Sequence, residues 1–311
     1  MKECFLDLVK QKGGFRCEHA HFDKAFLIEE DLLKDAEIPM TQKWSYFREL
    51  KQNYTEEDLY NRMKKCVDLL HKQGVKEATT FVDVDTIVNL KCVDIALKLK
   101  ENISNYFKLK IAIQPLEGLR SPELKNIYYE AAKKVDILGA LPSRDPDPKK
   151  HLEYIFALMK EFNKTLDVHT DQKACITEIE SSRLADLVIA NNLHGQVRAV
   201  HCISLARQSP GFKDMVCKKL KEADITVIVC PSAAISMKQN SHISSFTSNS
   251  IAPIKELQEN NVKLDFGVDN IADYFMPLVD GDLWFESRLL MEATRIYDLE
   301  YISDLVTGKL S

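Results

Sequence analysis

A chain of 311 residues with 45% hydrophobic and 29% charged side chains has the composition of a globular protein with ample material for a large core. The formal charge of −5, with Lys and Arg interspersed among Asp and Glu, excludes a basic nucleic-acid face and a polybasic membrane patch. The apolar runs are too short to cross a bilayer, "MKECFLDLVKQKGGF" lacks the apolar centre of a signal peptide, and the eight Cys show no C-x-x-C spacing, so a reducing cytoplasm is the expected setting.

Strand-length apolar runs recur along the chain, with amphipathic stretches between them. The first predicted strand is 15–22, "FRCEHAHF". A helix over 55–74 follows, opened by Thr55 with Glu in its first turn and closed by Gly74, with Leu59, Met63, Cys66, Val67 and Leu70 at helical spacing. Strands are predicted at 77–85 and 107–115, then a helix capped by Ser121 with Pro122 at its first position, then a strand at 135–143. Helices over 147–163, 175–192, 211–224 and 250–261 alternate with strands 165–171, 195–204, 225–232 and 262–270, and the chain finishes in helix. Several of these strands are almost continuously apolar, as strands covered on both faces are. Eight such alternations predict a (β/α)8 TIM-type barrel, one domain over 1–311. No Gly-rich turn follows the first strand, which argues against a dinucleotide-binding open sheet.

A barrel assembles its site at the C-terminal ends of its strands. Four of the eight His fall there: His19 and His21 on the first strand, His169 on the fifth and His201 on the sixth. His71, His151 and His194 fall in or beside helices and are expected on the surface, while His242, in the polar loop after the seventh strand, is a substrate-binding candidate. Alternate residues of a strand project to one side, so His19 and His21 form half of a clamp for a borderline divalent cation. His169 from across the barrel and Asp269 at the end of the eighth strand complete a ligand set. Asp269 is also placed to take a proton from a water the cation polarises, and His201 to hydrogen-bond the nucleophile or a developing oxyanion. Each residue alone also has a plain structural role: Asp269 as a cap, His169 as a core histidine. The set of them, each at a strand end, is what points to chemistry.

"EHAHFDKA", "DVHTDQ", "VHCISL" and "FGVDN", in this order, resemble the amidohydrolase superfamily and within it the cytosine deaminase-like branch, with "PLEGL" and "ILGALP" adding to the likeness. The resemblance runs from about Phe15 to the final helix. It implies a metal-dependent hydrolase that uses an activated water on a carbon–nitrogen bond of a small molecule: an amide, a cyclic amide or a substituted N-heterocycle. It also implies one divalent ion held by His19, His21, His169 and Asp269, zinc first with iron or manganese as alternatives, and catalytic roles for Asp269 and His201. Relatives often carry an accessory β-sandwich; none is expected here, and a homo-oligomer would cover the surface it leaves. The substrate-handling positions depart from the branch. Its proton-shuttling Glu is Gln172, its pyrimidine-gripping Gln aligns near Leu116 with Gln114 and Glu117 nearby, and its strand-2 His aligns with Phe81. An amide cannot exchange protons as a carboxyl does. Gln172, Glu117, Lys24 and His242 are therefore the candidate substrate contacts, with Lys24 and Asp23 read equally as a pair orienting the first loop. Two further readings stay open: a ring deaminase with Glu117 or Asp171 as a replacement acid, and an inactive metal-binding barrel.

Overall fold

The computed structural model describes residues 1–38, 40–236 and 250–311. After helix α1 (Lys2–Gln11), strand β1 (Cys17–Ala20) leads into helices α2 (Met40–Lys51) and α3 (Glu56–Lys72). Then follow β2 (Glu77–Asp83), α4 (Lys91–Ile103), β3 (Lys108–Gln114), α5 (Pro122–Lys134), β4 (Ile137–Ala140) and α6 (Pro148–Phe162). Strand β5 (Thr165–Thr170) is followed by α7 (Glu180–Ala190), β6 (Val197–His201), α8 (Pro210–Glu222), β7 (Thr226–Val229) and the short α9 (Pro231–Ser236). The chain continues through α10 (Ile254–Glu259), β8 (Leu264–Phe266), α11 (Leu283–Thr294) and α12 (Leu299–Val306).

The eight strands pair in parallel in sequence order, β1 to β8. The sheet closes on itself through a bridge between Ala20 and Asp269, with the Val268 and Asp269 N–H groups donating to His19 O at 3.1 and 3.0 Å and His21 N–H to Asp269 O at 3.2 Å. The chain thus forms a (β/α)8 TIM-type barrel. Local chemistry explains the elements. Thr55 Oγ1 accepts from Asp58 N–H and Ser121 Oγ from Leu124 N–H, so both helices start where their caps predict. The C-terminal helical stretch breaks into α11 and α12 at Arg295, which sits in the left-handed region at φ 57°.

The barrel interior is layered. At the N-terminal end, Arg198 holds Asp167 through two parallel bonds of 2.7 and 2.6 Å and Glu18 at 2.7 Å. Above it, Phe81 packs with Ala112 and Ile137. Gly139 makes room for that ring: a Cβ there would lie 1.8 Å from Ile113 O and 2.9 Å from Phe81 Cε1. His151 is a correction to the surface reading: it is buried, with Nε2 accepting from Leu141 N–H and Nδ1 bonded to Asp145, which also accepts from Leu119 N–H. The pair ties the loop after β4 to the loop after β3.

Candidate metal centre

The ends of β1, β5, β6 and β8 bring five side chains together over Phe81. His19, His21, His169, His201 and Asp269 are all buried. His19 Nε2 lies 3.5 Å and His21 Nε2 3.2 Å from Asp269 Oδ1, and His201 Nε2 lies 3.8 Å from Asp269 Oδ2. The His19 ring lies 4.9 Å from those of both His21 and His169, and 4.6 Å from the Phe81 ring, centroid to centroid. Gly267 permits this close approach of β8 to β1, since a Cβ there would fall 2.6 Å from His19 O and 2.7 Å from His19 Cβ.

Backbone geometry aims two of the five. His201 has φ 81°, and Cys202 N–H donates to Val200 O at 3.3 Å, which makes His201 the centre of a γ-turn. Asp269 has φ 67° just past β8. Both are non-glycine residues held in the left-handed region, as functional sites often are.

The electrostatics suit a cation. Burial lowers His21 to about 3 and His201 to about 4 and holds His169 well below its ordinary value, so the imidazoles are neutral and their lone pairs available at neutral pH. Burial alone would raise Asp269; the imidazoles of His19, His21 and His201 beside it outweigh burial and keep it ionised, well below the usual carboxylate range. Both ring nitrogens of His19 and of His169, and Nδ1 of His21 and His201, are buried without a hydrogen-bond partner. Orphaned buried nitrogens are costly unless something accepts their lone pairs. Two overlapping triads, His19–His21–His169 and His19–His201–Asp269, place their ligand atoms within 4.8 Å of one another. Neutral imidazoles with one carboxylate are the donor set of a divalent transition metal, so the residues fit such an ion.

No family model matches the chain. An uncharacterized protein of Haemophilus influenzae is 30% identical over 261 residues, 82% of this chain and 94% of that protein. The N-isopropylammelide isopropyl amidohydrolase of a Pseudomonas species is 24% identical over 291 residues, 89% of this chain and 68% of that enzyme. The crystal structure of 5-methylcytosine deaminase from Klebsiella pneumoniae, liganded with 5-fluorocytosine, superposes with a TM-score of 0.85 at 22% identity, covering 94% of this chain and 72% of that one; this likeness speaks for the fold. The chain belongs to the amidohydrolase superfamily. It is an amidohydrolase-type enzyme acting on carbon–nitrogen bonds.

In this amidohydrolase the candidate metal centre opens into a cavity at the barrel mouth. Lys24, Gln114, Gln172 and Asn270 form its polar wall, and Trp44, Leu116, Phe275 and Met276 its apolar wall. Helix α2 supplies Lys43 and Trp44 and is tied to the barrel by Lys51, whose Nζ lies 2.7 Å from Asp83 Oδ2, and by Phe47 stacked on Phe275 at 4.7 Å. Among the sequence-predicted contacts, Lys24 and Gln172 line the cavity. Glu117 lies outside it, bonded to Thr86 Oγ1 at 3.0 Å and ion-paired with Arg48. Asp171 also lies outside, capping α7 through the Glu180 and Ser181 N–H groups. His242 lies outside the described residues. Gln114 and Asn270 were not among the predicted contacts. The sequence marks Gln114 only as lying near the position of the pyrimidine-gripping Gln, and the signal for Asn270 is its place directly after Asp269.

Proposed function

We infer that the protein is a metal-dependent hydrolase that cleaves a carbon–nitrogen bond of a small N-heterocycle or cyclic amide through an activated water. The single observation that carries this is the group of four buried imidazoles around one ionised carboxylate at the mouth of the barrel. A divalent ion held by His19, His21, His169 and Asp269 would supply Lewis acidity and lower the pKa of water at the site. Zinc suits a donor set of three imidazoles and one carboxylate, and one ion matches the number of ligands.

The chain's own residues supply the rest. Asp269, ionised at neutral pH, accepts the proton of the attacking water and holds it for the leaving nitrogen. His201, neutral and 3.8 Å from Asp269 Oδ2, offers its N–H to the nucleophile or to the oxyanion that forms. Gln172 and Asn270 bind without exchanging protons. Asp269 is the one carboxylate among the described residues lining the cavity, which weakens the reading of a ring deaminase with a substitute acid shuttle.

The same proposal takes residues 1–311 as one functional unit acting as a homo-oligomer on a small molecule. A cytoplasmic setting fits eight cysteines outside any disulfide, seven of them buried, and among the described residues no helix is long and apolar enough to cross a membrane. The test is a screen of zinc-loaded protein for amine or ammonia release from amides, cyclic amides and amino-substituted rings. Turnover is expected within the panel, reduced about 100-fold or more in Asp269→Asn. Silence across the panel at full metal occupancy contradicts the reading, and unchanged turnover in Asp269→Asn contradicts the role given to Asp269.

A further inference from the structure

We infer that Lys24 is a positioning residue: it fixes the Gln114 amide with its nitrogen turned into the cavity, so that this wall of the site binds a substrate oxygen. The inference rests on the reading of the protein as a hydrolase of small ring compounds and specifies what the ring presents to β3.

An ammonium has three N–H donors and no acceptor. Lys24 Nζ directs them to three oxygens, Asp83 Oδ1 at 2.6 Å, Gln114 Oε1 at 3.2 Å and Asp23 Oδ1 at 3.3 Å. Asp83 and Gln114 are register partners on β2 and β3, which is how one ammonium reaches both. The oxygens are themselves held. Asp23 Oδ2 accepts from Asp83 N–H at 2.8 Å, and Asp83 Oδ2 faces Lys51 Nζ at 2.7 Å. Lys24 is fully buried, and Asp23 and Asp83 outweigh that burial to keep it charged.

Because Lys24 only donates, the Gln114 atom facing it is the carbonyl oxygen; the opposite orientation would set N–H against N–H. The amide nitrogen then points the other way. No described residue accepts from it, and Gln114 lines the cavity together with Asp269 and the histidines. A ring oxygen placed there completes its hydrogen bonds, whereas a ring amino group would meet donor with donor.

The test is calorimetric binding of two rings to the zinc-loaded protein: uracil, which carries oxygens, and 2,4-diaminopyrimidine, which carries amino groups at the same positions. Wild type is expected to bind uracil at least about tenfold more tightly. Gln114→Glu keeps an oxygen for Lys24 but turns a second oxygen into the cavity, so it is expected to reverse the order. Lys24→Met frees the amide to turn and is expected to bring the two affinities together. A merely structural Lys24 would weaken both rings equally in Lys24→Met, and an unchanged ratio there, or an unreversed order in Gln114→Glu, overturns the inference. So does a wild type that prefers the diamine. If Lys24→Met does not fold, the Gln114→Glu result decides alone. A wild type that binds neither ring removes the ring-hydrolase reading itself, and the inference falls with it.

Discussion

His201 occupies the centre of a γ-turn at φ 81°, a conformation that costs a residue with a Cβ and costs glycine almost nothing. The strain aims the imidazole at Asp269 rather than along the strand. His201→Gly is therefore expected to be more stable than His201→Ala by about 1 kcal/mol, measured by urea denaturation, with both variants impaired in turnover. Equal stability would mean that the turn carries no strain. The residues of the centre were legible in the sequence because each is a chemistry-bearing type at a strand end, and closing the barrel brings the ends together. Gln114 and Asn270 were not, since an amide carries no motif and its role depends on what fixes it: Lys24 for Gln114, and Asp273, which accepts from Asn270 Nδ2, for Asn270. His151 misled for a related reason. A histidine inside a helical stretch reads as surface unless its buried partner, here Asp145 from the preceding loop, is known.

At the scale of elements, each strand lies inside its predicted range but is shorter, as in β6, Val197–His201 against 195–204, and β8, Leu264–Phe266 against 262–270. The apolar runs that reveal a buried parallel strand continue past the last ladder bond, while the chain leaves strand geometry to aim site residues such as Asp269. Helix α2 escaped the sequence reading because the aromatic residues of "TQKWSYFRELK" serve the barrel mouth: Phe47 stacks on Phe275, and Tyr46 lies 5.0 Å from Tyr274. The contact between β8 and β1 depends on Gly267. A Cβ there would lie within 3.0 Å of three His19 atoms, two of them backbone, which cannot yield cheaply. Gly267→Ala is expected to cost on the order of 2 kcal/mol and to weaken metal retention, because His19 is displaced. The check is a thermal melt paired with metal content. A variant with wild-type values in both would show that the barrel seam is looser than described.

Over the whole molecule, two carboxylates that share Arg198 at the N-terminal end of the barrel titrate in opposite directions. At the N-terminal end, burial would raise Glu18, but Arg198, Lys110 and Arg16 hold it at about 2, against an ordinary 4.5; the stability this gives is present above pH 4.5 and is lost as pH falls toward 2. Burial, and after it the Glu18 carboxylate, pushes Asp265 the other way, from 3.8 up to about 7. The folded state then binds a proton that the unfolded state has released, so Asp265 makes stability decline as pH rises from about 4 to 7. Asp265→Asn is expected to remove that decline, gaining on wild type in melting temperature at pH 8 relative to pH 5. A constant difference between the two proteins across that range would show that Asp265 is ionised throughout.

The central claim concerns the mouth, where five side chains converge on a donor set with orphaned buried nitrogens. It is tested most directly by the metal content of protein purified without a metal-affinity step, measured by mass spectrometry of the elements. About one divalent ion per chain is expected for wild type, with loss of nearly all of it in His169→Ala. A wild type without bound divalent metal after reconstitution, or a His169→Ala variant that retains a full equivalent, would contradict the account.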